Sequence, residues 1–182
     1  MKKVIIHIFI FLILILIPNY CVAKIITDDS GLITFETSNK WHISSFGEDP
    51  LTYELICITY DNNTGIKLTQ SKYPMKYRNL QQANNTEISE LRDYMIRYYI
   101  NLFKSKGYTF KINKTECLQN SIIIGASIER NGFTGKMITT TYIKDYRGYI
   151  ITAFCSDATV NETYNTLKTL KINGVNIDEW MQ

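Results

Sequence analysis

Catalysis needs side chains that move protons, attack carbon or hold a metal, and this chain is poor in all three. It has two histidines, His7 and His42, and His7 sits inside an apolar N-terminal run. A Ser-His-Asp or Cys-His arrangement would therefore have to use His42. His42 follows Trp41 at the head of a strand-like stretch, where an imidazole usually serves structure. Neither HExxH nor paired CxxC spacing occurs, so zinc finds no ligand set and no cofactor is expected. "DNNTG" (61–65) is similar to the start of a calcium loop, but Ile66 stands where glycine is needed and Lys72 where the closing glutamate belongs. It reads as a turn. "RNGFTGK" (130–136) lacks the phosphate-loop spacing and falls between two expected strands, so no helix N-terminus awaits a phosphate there. Glu116, Glu129, Asp145 and Asp157 sit at expected strand ends or turns. A converging pair of them would suit a small hydrolase, while solvated acids are the simpler reading.

A loop is the better candidate site. "SKYPMKYRNLQQANN" (71–85) interleaves Lys72, Lys76 and Arg78 with Tyr73, Tyr77 and Met75, and it exceeds the usual length of a connection. Long loops carry function, and tyrosine and arginine dominate interface hot spots. Lys72, Tyr73, Lys76, Tyr77 and Arg78 are thus the expected partner-binding residues, set against a plain solvated connector.

The elements that must position this loop follow from periodicity. "LITFETSNKWHISSF" predicts two short strands around Ser38-Asn39-Lys40, with Trp41 as a core anchor. "YELICITYDNNTGIKLTQSKY" predicts a hairpin turning at Asp61–Gly65. "TEISELRDYMIRYYINLFKSKG" predicts a long helix, with Glu87 and Glu90 near its start, Lys104 and Lys106 near its end, and Gly107 as its stop. Its apolar face carries Ile88, Leu91, Met95, Tyr98, Tyr99, Leu102 and Phe103. So many tyrosines suit an aromatic-ligand platform as well as a packed face, and packing is the favoured reading.

A three-strand meander should follow. Asn131-Gly132 is a two-residue hairpin turn that sets Arg130 opposite Phe133, Ala126 opposite Met137 and Ile124 opposite Thr139. Ile122, Ile124, Ala126 and Ile128 then share one face. A second turn around Tyr146-Arg147-Gly148 is expected to pair Ile143 with Ile150, Thr139 with Phe154, and Cys155 with Ile138. "TVNETYNTLKTLKING" predicts a closing helix with a Thr159–Glu162 capping box and a Val160, Tyr164, Leu167 stripe, ending before Gly174.

The N-terminus bounds the compartment. Lys2 and Lys3 precede an apolar run, Val4 to Ile17, that is shorter than the ~20 residues of a spanning helix and suits a signal peptide. Ala23 offers the small residue before a cut, giving a signal over 1–23 and one domain over 24–182. Retention as an anchor and lipidation of Cys21 are the other readings, and Asn19 and Tyr20 are poor residues before a lipidated cysteine. Loss of the two lysines lowers the formal charge of the 182-residue chain from +3 to about +1, too little to attract nucleic acid. Of four cysteines, Cys57, Cys117 and Cys155 would remain. The expected register separates Cys117 from Cys155 by about 26 Å, so any bridge would use Cys57. The Asn-x-Thr sequons at Asn62, Asn84, Asn113 and Asn161 carry little information in a chain this rich in those residues.

Three stretches, "ITFETSNKWHIS", "GYIITAFCS" and "YNTLKTLKI", together with the order of elements, resemble the PsbP-like superfamily. That group includes the extrinsic P-protein of photosystem II, a yeast nuclear-import factor and exported bacterial DcrB-like proteins. The resemblance spans most of residues 31–172. It implies an α+β fold, an antiparallel sheet flanked by helices in an α/β/α sandwich, and non-enzymatic, partner-binding roles with no catalytic residues to carry over. The combined expectation is an exported, periplasmic or extracellular accessory domain or assembly factor that binds another exported or envelope protein. Its membrane contact would be limited to the leader. A small exported hydrolase using carboxylates, and an immunity or inhibitor protein against an exported toxin, are the alternatives.

Overall fold

Runs of apolar residues, many alternating with polar ones, put about half of the described residues in strands, where side chains point to opposite faces in turn. The computed structural model describes residues 23–45, 51–118 and 120–177. The expected leader, with Cys21, lies outside these residues except for Ala23. The strands are β1 (Lys24–Thr27), β2 (Ile33–Thr37), β3 (His42–Ile43), β4 (Thr52–Asp61) and β5 (Thr64–Ser71), then β6 (Thr109–Cys117), β7 (Ser121–Arg130), β8 (Phe133–Lys144) and β9 (Arg147–Ser156). Two further short strands are β10 (Lys171–Ile172) and β11 (Val175–Asn176). Two α-helices lie among the described residues, α1 (Asn85–Ser105) and α2 (Val160–Leu167). Every strand pairing among the described residues is antiparallel. They form a seven-stranded sheet, β3-β4-β5-β9-β8-β7-β6, and a four-stranded sheet, β1-β2-β10-β11.

The second sheet was not expected. The strands either side of Ser38-Asn39-Lys40 do form, but β2 belongs to the small sheet and β3 to the large one. Trp41, fully buried, is the point at which the chain passes between them.

Alternate residues of the large sheet feed two separate cores. Ile58, Ile66, Leu68, Ile151 and Ala153 pack with Phe35, Trp41 and Leu170. Ile122, Ile124, Ala126 and Met137 pack with Met95, Tyr99 and Leu80. The long helix is capped as its sequence allows. Asn84 Oδ1 accepts from the Glu87 amide at 3.0 Å and Glu87 Oε2 accepts from the Asn84 amide at 2.9 Å. After the helix, Gly107 adopts φ +77°, a conformation that costs little without a Cβ.

The Asn131-Gly132 turn and its register are as expected, with Arg130 opposite Phe133, Ala126 opposite Met137 and Ile124 opposite Thr139. The next register is not. The turn residues are Asp145 and Tyr146, both at positive φ (51° and 64°), so Ile143 faces Gly148, Thr139 faces Thr152 and Cys155 faces Lys136. The shift is two residues, which preserves the faces. Glycine attracts a turn assignment, and here Gly148 lies in the strand instead.

The meander also has a fourth strand, β6, whose Lys, Asn and Thr residues hide its alternation. The Asn173-Gly174 pair, expected to lie beyond a helix end, is a further hairpin turn joining β10 to β11. All three described cysteines are free: Cys57 and Cys155 are buried and Cys117 is exposed. Burial pushes the Cys57 thiol up to about 12, which removes the thiolate that disulfide exchange needs.

The closing helix differs most in detail. Thr159 makes no cap, because its hydroxyl bonds Thr64 Oγ1 at 2.7 Å. Glu162 instead accepts from Trp41 Nε1 at 2.9 Å and from Ser38 Oγ at 2.8 Å. The buried α2 residues are Thr163 and Thr166, while Tyr164 is exposed beneath the Lys168 ammonium. Polar threonines face inward because hydroxyls can bond the helix backbone, as Thr163 does to the Thr159 carbonyl at 3.0 Å.

Candidate functional site

The 71–85 loop is an ordered clasp, and its five expected residues divide between two tasks. Lys76 pairs with Glu87, the capping residue of α1. Arg78 Nε donates to Asp145 at 3.0 Å, in the turn whose positive φ values need support. The backbone strengthens this fastening: Met75 N donates to the Tyr146 carbonyl at 2.7 Å, and Tyr146 N donates to the Arg78 carbonyl at 3.3 Å. Leu80, on a short 3-10 turn, is buried in the α1 core. Tyr77 is partly buried, so it does not stand out as a free hot spot. Lys72 reaches over the Tyr53 ring at 5.3 Å, and Tyr73 is 66% exposed. Lys76 and Arg78 are thus exposed fasteners tied to Glu87 and Asp145, Tyr77 and Lys72 are half-buried, and Tyr73 faces outward.

The electrostatics of the clasp follow from its geometry. The hydrogen bond from Lys76 draws the Glu87 carboxyl down to about 2, and Glu87 in turn pushes Lys76 above its ordinary value.

Tyr73, Pro74 and Met75 also close one end of a groove of about 600 Å³ between α1 and the large sheet. Its wall is the α1 face, with Leu91, Tyr94, Met95, Tyr98 and Leu102. Its floor is β5 and β9, through Thr69, Ile150, Thr152 and Phe154. Tyr108, Phe133 and Lys106 line its other end. The groove exists because one helix is too narrow for this sheet. An α-helix is about 10–12 Å across and strands lie about 4.8 Å apart, so α1 covers two or three strands. It covers β6 to β8 and touches β9 at Thr152 and Phe154, and the rest of the β5 and β9 surface borders the groove.

The sequence favours packing for the α1 tyrosines, and that holds for Tyr99, which is buried. Tyr94 is 51% exposed at the groove mouth, and Tyr98 lines the wall. The sequence signal is the cluster of Tyr94, Tyr98 and Tyr99 within two turns of α1. It cannot show which strands the helix leaves uncovered.

The residues with classical chemistry are scattered. His42 is exposed on β3, with Nε2 3.0 Å from Thr59 Oγ1. Asp61–Gly65 lies within a hairpin turn, where Asp61 Oδ1 accepts from Asn63 N at 2.7 Å. Glu116 pairs with Lys114, Asp145 with Arg78 and Asp157 with Lys136, and neither these acids nor Glu129 lines the groove. Among the described residues, no three His, Cys, Asp or Glu side chains gather as a metal site would require. No described helix is long and apolar enough to cross a membrane.

No family model matches the sequence, and no curated protein matches it. Solved structures do. The solution structure of cyanobacterial PsbP (CyanoP) from Synechocystis sp. PCC 6803 has a TM-score of 0.56 at 6% identity, over 85% of this chain and 95% of that one. A crystal structure from Bacteroides thetaiotaomicron VPI-5482 has a TM-score of 0.46 at 8% identity, over 82% of this chain and 48% of that one. The chain has a PsbP-like fold, as its sequence resemblance implied. At 6% identity the likeness speaks to fold and not to activity.

Proposed function

We propose that this chain is an exported accessory domain that works by gripping another protein of the envelope or the extracellular space, with residues 1–23 as its cleaved signal and 24–182 as one layered α/β/α domain. The observation that carries this reading is the exposed apolar rim at one mouth of the groove. Leu51 (44%), Tyr73 (66%) and Tyr94 (51%) stand there on a strand entry, a loop and a helix held together by the clasp. Clustered exposed apolar groups mark interaction surfaces, and a preorganised loop loses less entropy on docking. The PsbP-like fold, shared with CyanoP, supports a non-catalytic role. The acids named above do not converge in the groove, so a carboxylate hydrolase finds no support in its lining.

Affinity capture from the native envelope fraction tests the reading. Tyr73→Ala combined with Tyr94→Ala should remove the main captured protein and leave circular dichroism unchanged, since both side chains are exposed. An identical captured set from the folded double variant would rule out this rim as the gripping surface.

A further inference from the structure

The interior of the groove has properties that gripping a protein at its rim does not use. It is long: the β9 floor from Gly148 to Phe154 spans about 20 Å at the ordinary rise per residue. Its volume, about 600 Å³, lies within the range of small-molecule sites, roughly 300–1,000 Å³. Several hydroxyls along its floor and inner wall are already occupied. Tyr99 Oη lies 3.0 Å from Thr139 Oγ1 and 3.1 Å from Thr152 Oγ1, and those two threonines are 3.2 Å apart. Thr141 Oγ1 donates to Met95 Sδ, and Ser71 Oγ accepts from Gly148 N at 2.9 Å. A sugar would need such groups free, whereas an apolar chain asks nothing of them.

Charge adds a direction. The described lining holds two cations, Lys67 and Lys106, and no carboxylate. Lys67 is paired with Glu54 at 3.1 Å in mid-groove, and Lys106 is exposed at the far end beside Phe133 and Tyr108. That is complementary to an elongated molecule with one anionic end. We propose that the groove binds a long-chain carboxylate, its acyl chain along Ile150, Thr152 and Phe154 and its head group at Lys106. This goes beyond the protein-gripping reading and stands without it.

Calorimetry on the protein in the form its cell produces tests this, using straight-chain carboxylates below their micelle concentrations. One-to-one binding is expected, tightening about fourfold per added methylene until the groove is filled. Lys106→Glu should weaken the carboxylate about three- to tenfold and leave the alcohol of equal length unchanged. Ile150→Trp should fill the floor and weaken long chains at least about tenfold, because part of the acyl chain is then left in water. If that variant does not fold, Leu102→Trp narrows the same space from the helix side. Absence of saturable binding at every chain length, equal affinity of the wild type for carboxylate and alcohol, or retained affinity in a folded filled variant would each overturn the proposal.

Discussion

The two faces of the seven-stranded sheet are built from alternate residues of the same strands, yet one is sealed and the other half open. On the sealed face Ile58, Ile66 and Leu68 are fully buried under Phe35, Trp41 and Leu170, which come from the small sheet, the chain crossing and the segment after α2. On the other face α1 lies over β6 to β8 and leaves β5 and β9 bordering the groove. The sealed face has several short covers, and the open face has one long one. The contrast teaches that burial is decided by the width of the cover and not by the composition of the strands. Ile150 on β9 is only partly buried, while its neighbour Ile151, pointing the other way, is 2% exposed.

This contrast can be broken by charge. Ile66→Asp places an unpaired carboxylate in the sealed core and should cost about 4 kcal/mol or more, whereas Ile150→Asp, with groove water within reach, should cost about 1 kcal/mol. Urea denaturation of the pair reads the difference directly, and equal costs would mean the groove is as closed as the core. Met95→Asp falls next, at more than about 3 kcal/mol, because Met95 is 6% exposed at the edge of the α1 core. A normal melting profile for that variant would contradict the helix placement. Glu162→Ala should cost about 1–3 kcal/mol by leaving the buried Trp41 indole N–H without its acceptor. Thermal melts of Glu162→Ala and Trp41→Phe, alone and combined, would separate that hydrogen bond from helix capping. If the carboxylate acts through Trp41, the two losses will not add.

The smallest effect belongs to the clasp. Glu87 is held at about 2 against an ordinary 4.5, so its bond to Lys76 contributes fully above about 4.5 and is lost as pH falls through about 2. Amide resonances of Met75 and Lys76 should therefore shift over that interval while those of the sealed core stay fixed. Loop amides that do not move before global unfolding would show that the ion pair does not tether the loop.

Much of this architecture was legible from residue order. The α1 stripe, its stop at Gly107 and the Asn131-Gly132 register depend on contacts within a few residues, where turn chemistry and periodicity act directly. The failures share a cause. Asp145 and Tyr146 take positive φ without glycine, in a turn bonded to the clasp from Arg78 and Met75, contacts dozens of residues away in the chain. The strand β6 is an edge carrying Lys111, Asn113 and Lys114, so one of its faces has no apolar signal to read. Glu162 stands where a capping glutamate belongs, and only the arrival of Trp41 assigns it otherwise.

Of the candidate site, the loop and its tyrosines could be named in advance, but not their division into fasteners and exposed groups. Local sequence determined which segments became helix, strand and tight turn, because those choices depend on backbone preference and on side chains a turn apart. Tertiary structure alone decided which faces were covered and where the groove lies. That outcome depends on how far one helix can reach across strands brought together from distant parts of the chain.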